Sequence, residues 1–159
     1  MQSKIILGID PGYARMGWGV INVCGSAMTC LGCGCIETPQ NEELGTRLCM
    51  INEELMKIIA RFQPSDISIE ELFFAKNTKT AMNVAAARGV VLLRAFSHSG
   101  RIFAYRPNVI KLATAGVVPA DKKQMQAKVT EILHLAVTPK PDDAADALAI
   151  AITHAAHCK

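Results

Sequence analysis

Lys4 is followed by Ile5-Ile6-Leu7-Gly8-Ile9, a continuous apolar run that predicts a strand buried on both faces, and Asp10 breaks the run. Pro11 and Gly12 then predict a sharp turn, with Gly12 supplying unusual φ, into a second strand at about Trp18 to Val23. A third strand is read from Met28 to Glu37, closed by Thr38-Pro39. Leu44, Leu48, Ile51, Leu55, Ile58 and Phe62 recur at steps of three and four, so they share one helical face, with Asn41 or a neighbour as cap. Ser65 to Glu70 is a short fourth strand that again ends in acid. Lys79 to Phe96 predicts a helix that is small and apolar around much of its circumference, the mark of a buried or interface helix. Arg101 to Arg106 is a fifth strand, and Pro107 opens a short helix around Val109 to Ala113. Asp121 caps a helix running to about Leu135, with Met125, Val129, Ile132 and Leu133 inward. A last helix runs from Asp142 or Asp143 to His157.

This order predicts an α/β fold with a five-stranded mixed sheet flanked by helices. Strands one to three pair antiparallel through hairpins, and helical crossovers add the other two in parallel. If strands one and four are neighbours, Asp10 and Glu70 emerge side by side at one edge. Glu71 follows directly, but strand alternation turns it the other way.

Composition narrows the reading. The chain has 159 residues and is half hydrophobic, which fits a single domain over residues 1–159. A net charge of +3 permits a nucleic-acid partner without arguing for one. The opening apolar run is too short for a signal peptide, and Ala147 to Ile152 is far short of a membrane span, so a cytoplasmic protein is expected. Cys30, Cys33 and Cys35 form C-x-x-C-x-C, half of a zinc motif whose second half does not follow. Thiols on one strand face otherwise behave as small hydrophobes, and nothing suggests the secretion that disulfides accompany.

The last helix adds two acids. Asp143 and Asp146 are three apart and share a face. Asp142, alone or with Asp143, also suits the helix cap, whereas Asp146 lies a turn further in, where capping no longer accounts for it. Four converging carboxylates repel one another unless divalent cations lie among them. Magnesium takes such oxygen ligands, and a pair of ions about 4 Å apart is the arrangement that hydrolyses phosphodiesters. No P-loop is present.

Asp10-Pro11-Gly12, Arg15, Gly17-Trp18-Gly19, Ile69-Glu70, Phe73, Ala75-Lys76-Asn77, Ala87-Arg88-Gly89, Pro107, Lys111, Lys122 and Asp142 through Leu148 together resemble the RuvC family of bacterial Holliday-junction resolvases over nearly the whole chain. The resemblance implies an RNase H-like fold and a homodimer. It also implies paired nicking of four-way DNA junctions with two Mg²⁺ ions per subunit, for which Mn²⁺ substitutes. Partnership with the RuvA–RuvB branch-migration complex in recombination and repair follows in the same way. Carried over by position, Asp10, Glu70, Asp143 and Asp146 are the metal-binding catalytic acids. Lys111 and Lys122 resemble the basic residues near the scissile DNA, where the plain alternative is two solvated lysines. Phe73 resembles the aromatic that wedges at the junction centre, with core packing as its alternative, and Lys76 and Asn77 fall in the same DNA-binding stretch. The cysteine-rich third strand departs from the family pattern.

Two other classes are weighed against this one. Sugar kinases and actin-like ATPases share the D-x-G hairpin but need a second large domain, and a junction-binding protein without activity has no use for four convergent acids. A junction with two equivalent strands calls for two sites, hence a two-fold dimer. The expected interface is the Lys79–Phe96 helix through Ala81, Val84, Ala85, Arg88, Val91, Leu92 and Ala95, against burial within its own chain.

Overall fold

The computed structural model describes residues 3–72 and 78–158. Five strands, β1 (Lys4–Asp10), β2 (Arg15–Cys24), β3 (Ala27–Glu37), β4 (Asp66–Glu70) and β5 (Ile102–Tyr105), form one sheet in the order β3-β2-β1-β4-β5. β1 to β3 are antiparallel neighbours, and β4 and β5 join in parallel, as the pattern predicts. β2 begins at Arg15, three residues before the expected start, because its pairing with β3 continues to Arg15 opposite Glu37.

Five helices cover the two faces. α1 (Leu44–Phe62) and α2 (Thr78–His98) lie on one side; α3 (Pro107–Ala115), α4 (Lys122–Ile132) and α5 (Asp142–His157) lie on the other. Strand alternation divides the core accordingly. Leu7, Ile9, Ile67 and Ile69 face α1 and α2, packing on Ile51, Leu55 and Val91. Ile6 and Ile21 face α5, packing on Leu148, Ile150 and Ile152. By the same parity Asp10 and Glu70 point toward α5.

Some local expectations are revised. α1 starts at Leu44 with Glu43 at the N-cap and no side-chain cap, so Asn41 does not cap it. At α5 the N-cap is Pro141, again without a side-chain bond, which places Asp142 and Asp143 inside the first turn rather than at the cap. Gly12 is required for space, since a Cβ there would lie 2.1 Å from the Arg15 carbonyl oxygen, and it is not among the positive-φ glycines. Of the expected interface stripe on α2, Val91 and Ala95 are buried in this chain's own core, and Ala81, Val84, Ala85, Arg88 and Leu92 are half-buried. The exposed large apolar residues of α2, Met82, Leu93 and Phe96, lie outside that stripe at 73%, 61% and 61% exposed.

Candidate active site

Asp10 closes β1 and Glu70 closes β4, and the parallel register sets them side by side one step beyond the Ile9–Ile69 pair. The turn after Asp10 is braced. Thr38 donates to the Tyr13 carbonyl (2.6 Å), Arg47 Nε donates to Thr38 Oγ1 (2.8 Å), and the Arg47 guanidinium lies 4.6 Å from the Tyr13 ring centre.

α5 delivers the other two acids by lying directly on backbone. A Cβ on Gly8 would be 2.1 Å from the Ala147 carbonyl oxygen, and one on Gly17 would be 2.0 Å from that of Asp143. Only glycine permits this approach, and the buried alanines 144, 145, 147, 149 and 151 permit it from the helix side. The two elements then run in step. β4 presents Asp66, Ser68 and Glu70 to α5, where Ser68 Oγ meets the Ile150 carbonyl (3.4 Å), His154 meets Asp66 (3.1 Å), and the Asp146 charge acts on Glu70.

The acids perturb one another as the crowding predicts. Burial, then the charges of Glu70, Asp146 and Asp143, push the Asp10 carboxyl up to about 7. Glu70 is raised by burial and by Asp146, with Lys111 opposing, and Asp146 is raised by burial with Lys122 opposing. Asp143 is held differently, through Arg15, whose Nε and Nη2 lie 3.0 and 2.9 Å from Oδ2. Arg15 appears in the motif but carries no expected role; its partner is 128 residues away in the chain, so no local spacing reveals the pair.

Lys111 on α3 and Lys122 at the first position of α4 line a cavity of about 220 Å³ with Glu70 and Asp146, floored by Ile110, Met125 and Ile150. A capping box holds Lys122 in place: Asp121 accepts from the Gln124 backbone N–H (2.8 Å) and Gln124 Oε1 accepts from that of Asp121 (2.9 Å). Glu71 turns away, as expected, and lies 3.4 Å from Arg106 Nε. Phe73, Lys76 and Asn77 lie outside the described residues. Cys30 and Cys33 both pack against the α5 side of the core, since a register shift between Val20 and Ile21 brings them to one face.

The donor set consists of oxygens alone, half-buried, and carries excess negative charge. Such a set fits hard divalent cations, magnesium above all. Fold and acids together define an RNase H-like α/β protein. The family model "Crossover junction endodeoxyribonuclease RuvC" matches residues 6–154. The protein of that name from Thermotoga maritima is 46% identical over 98% of this chain and 92% of its own, and that from Alkaliphilus oremlandii is 48% identical over 95% and 92%. A solved structure described as T. thermophilus RuvC in complex with Holliday junction substrate superposes with a TM-score of 0.92 at 35% identity, covering 98% of this chain and 94% of that one. This chain belongs to the RuvC family.

Proposed function

We propose that this chain is a Holliday-junction resolvase, a single nuclease domain that cuts two opposing strands of a four-way DNA junction by metal-dependent phosphodiester hydrolysis in recombination and repair. The observation that carries the reading is the convergence of Asp10, Glu70, Asp143 and Asp146 beside Lys111 and Lys122, in a family whose T. thermophilus member is described with its junction substrate. Asp10, Glu70, Asp143 and Asp146 would hold Mg²⁺, two ions per subunit with Mn²⁺ as substitute. When bound, the ions supply an activated water and a stabilised leaving oxygen. Arg15 keeps the Asp143 carboxylate turned to the site, and Lys111 and Lys122 hold the phosphate flanking the bond to be cut. Phe73, Lys76 and Asn77 contact DNA near the junction centre. The test is cleavage of a synthetic four-way junction with Mg²⁺ and with chelator. Symmetric nicks only with the metal support the reading, whereas binding without cleavage under both conditions rejects it.

Replacing Lys111 or Lys122 by Ala is expected to slow cleavage of bound junction more than it weakens binding. Removing a single lysine–phosphate ion pair lowers the salt slope of log affinity by only about one. Single-turnover rates and binding at several salt concentrations measure both quantities. A collapse of binding with unchanged turnover on bound junction would make these docking residues.

The chain acts as a homodimer, with the RuvA–RuvB complex as partner, in the cytoplasm. Among the described residues no helix is long and apolar enough to cross a membrane. The dimer surface is the outer stripe of α2, where the large apolar side chains Met82, Leu93 and Phe96 are exposed. Leu93→Glu is therefore expected to yield a folded monomer by sedimentation that nicks without pairing its cuts. Paired cutting by such a monomer would reject the interface.

A further inference from the structure

At the far end of β4 and α5, about 13 Å from Glu70 at 3.3 Å per strand residue, Asp66, His154 and Cys158 bring a carboxylate, an imidazole and a thiol together, with ligand atoms all within 4.8 Å of one another. We propose that these three residues form a zinc site, separate from the catalytic acids, that ties the C-terminal end of α5 to the start of β4. His154 Nε2 is 3.1 Å from Asp66 Oδ2 and 3.0 Å from Cys158 Sγ. Around a tetrahedral zinc ion, nitrogen, oxygen and sulfur ligands sit about 3.3–3.6 Å apart. The Asp66–His154 spacing needs to open by only a few tenths of an ångström, whereas Cys158 Sγ, which also lies 3.3 Å from His154 Nδ1, sits over the ring face and must swing out beyond Nε2 to ligate.

The surroundings have the form that zinc ligands need. A ligating histidine gives its other ring N–H to a fixed acceptor, and Tyr105 Oη lies 2.8 Å from His154 Nδ1. Phe103 stacks on the imidazole at 4.2 Å. Asp66 and His154 are fully buried, yet Asp66 Oδ1 accepts no hydrogen bond among the described residues, although Arg101 Nε lies 3.1 Å away. Asp66 Oδ1 thus has a cation beside it but no directed donor, and the Cys158 thiol takes part in none of the ion pairs around Asp66.

Two cations already flank Asp66, Lys4 at 2.9 Å and Arg101 at 3.1 Å, and charge balance decides whether a metal is compatible with them. Without metal, Asp66, Lys4, Arg101 and the neutral thiol sum to +1. With Zn²⁺ bound, the Cys158 proton released to solvent and the Lys4 ammonium swung out to water, the carboxylate, thiolate, zinc and Arg101 again sum to +1. Lys4 is free to leave, its side chain being 34% exposed at the start of β1. The exchange therefore adds no net charge to the buried site, and the three donors match the borderline-soft character of zinc.

Cobalt(II) is the probe, because a thiolate-to-cobalt charge-transfer band reports sulfur ligation directly. The metal-stripped chain is expected to develop that band with one equivalent of Co²⁺ and to lose it when Zn²⁺ is added. Cys158→Ser should abolish the band, and Tyr105→Phe should weaken affinity about 10-fold or more by removing the partner that orients the ring. Cys30→Ser and Asp146→Asn should leave it intact. Cys158 lies just past the last helical residue and is only half-buried, so its replacement keeps the fold, which circular dichroism checks. Absence of a thiolate band in the parent chain, or its survival in Cys158→Ser, overturns the proposal.

Discussion

Asp10→Asn is expected to abolish junction cleavage and, in the same protein, to raise the melting temperature of the metal-free form. The loss follows from removing one of the acids proposed to hold the metal. About 10³-fold in rate corresponds to about 4 kcal/mol of transition-state charge stabilisation. The gain in stability follows from the crowding. Burial and three neighbouring carboxylates raise the Asp10 carboxyl from 3.8 to about 7. Because the folded state holds its proton more tightly than the unfolded chain, the folded state binds more protons between these two values, and stability falls as pH rises from about 4 to 7. Above pH 7 the full penalty is present, and at 1.36 kcal/mol per unit it is on the order of 2–4 kcal/mol. The neutral amide removes that penalty, so at pH 8 the variant should melt about 5–10 °C above the parent in chelator. Below about pH 3, where Asp10 is protonated in both states, the two should melt together. Mg²⁺ should raise the melting point of the parent and move that of the variant much less. Equal melting of parent and variant at pH 8 would contradict the proposed carboxylate crowding.

Gly8→Ala is expected to unfold or severely destabilise the protein although it adds a single methyl group. That methyl would meet the Ala147 carbonyl oxygen at 2.1 Å and the Ala151 nitrogen at 2.7 Å, both backbone atoms of a buried helix. Overpacking a core costs about 1–3 kcal/mol when side chains can shift, and more when they cannot. Here no side chain is available to move, so at least about 3 kcal/mol is expected, read from chemical denaturation. Any variant that still folds must lift α5 from the sheet. It should then lose cleavage out of proportion to its loss of junction binding, because Asp143 and Asp146 ride on that helix. Gly45→Ala serves as control: nothing lies within 4 Å of a Cβ there, and it should be neutral or slightly stabilising.

The gathering of acids was legible in part because three of them sit where a bland role fits poorly. Asp10 ends an apolar run, Glu70 ends a short β-branched strand, and Asp146 sits past the reach of a cap, whereas Asp143 passes for an ordinary capping acid. The strand order followed from short hairpins and helical crossovers, and β1 and β4 are neighbours as expected. What pairs across long separations was not legible. The Arg15–Asp143 contact and the His154–Asp66 contact join residues 128 and 88 positions apart, and no periodicity marks either. The small apolar residues of α2 announced an unusual helix without telling which face turns inward; Val91 goes to the core and Leu93 to the surface. The cysteine motif drew attention to β3, while the thiol beside a histidine and an aspartate is the isolated Cys158.

The polar positions of β4 and the fourth-residue steps of α5 keep nearly equal stride: two strand residues advance about 6.6 Å and four helix residues about 6.0 Å. With glycine beneath the helix, this pairing works like a vernier scale whose zero is set by main chain. Sliding α5 by one residue along its axis would misalign every pair at once, Glu70 with Asp146, Ser68 with Ile150 and Asp66 with His154. Drift in the outer helices therefore leaves the spacing of the acids untouched. Insertions within β4 or the first three turns of α5 should therefore not be tolerated.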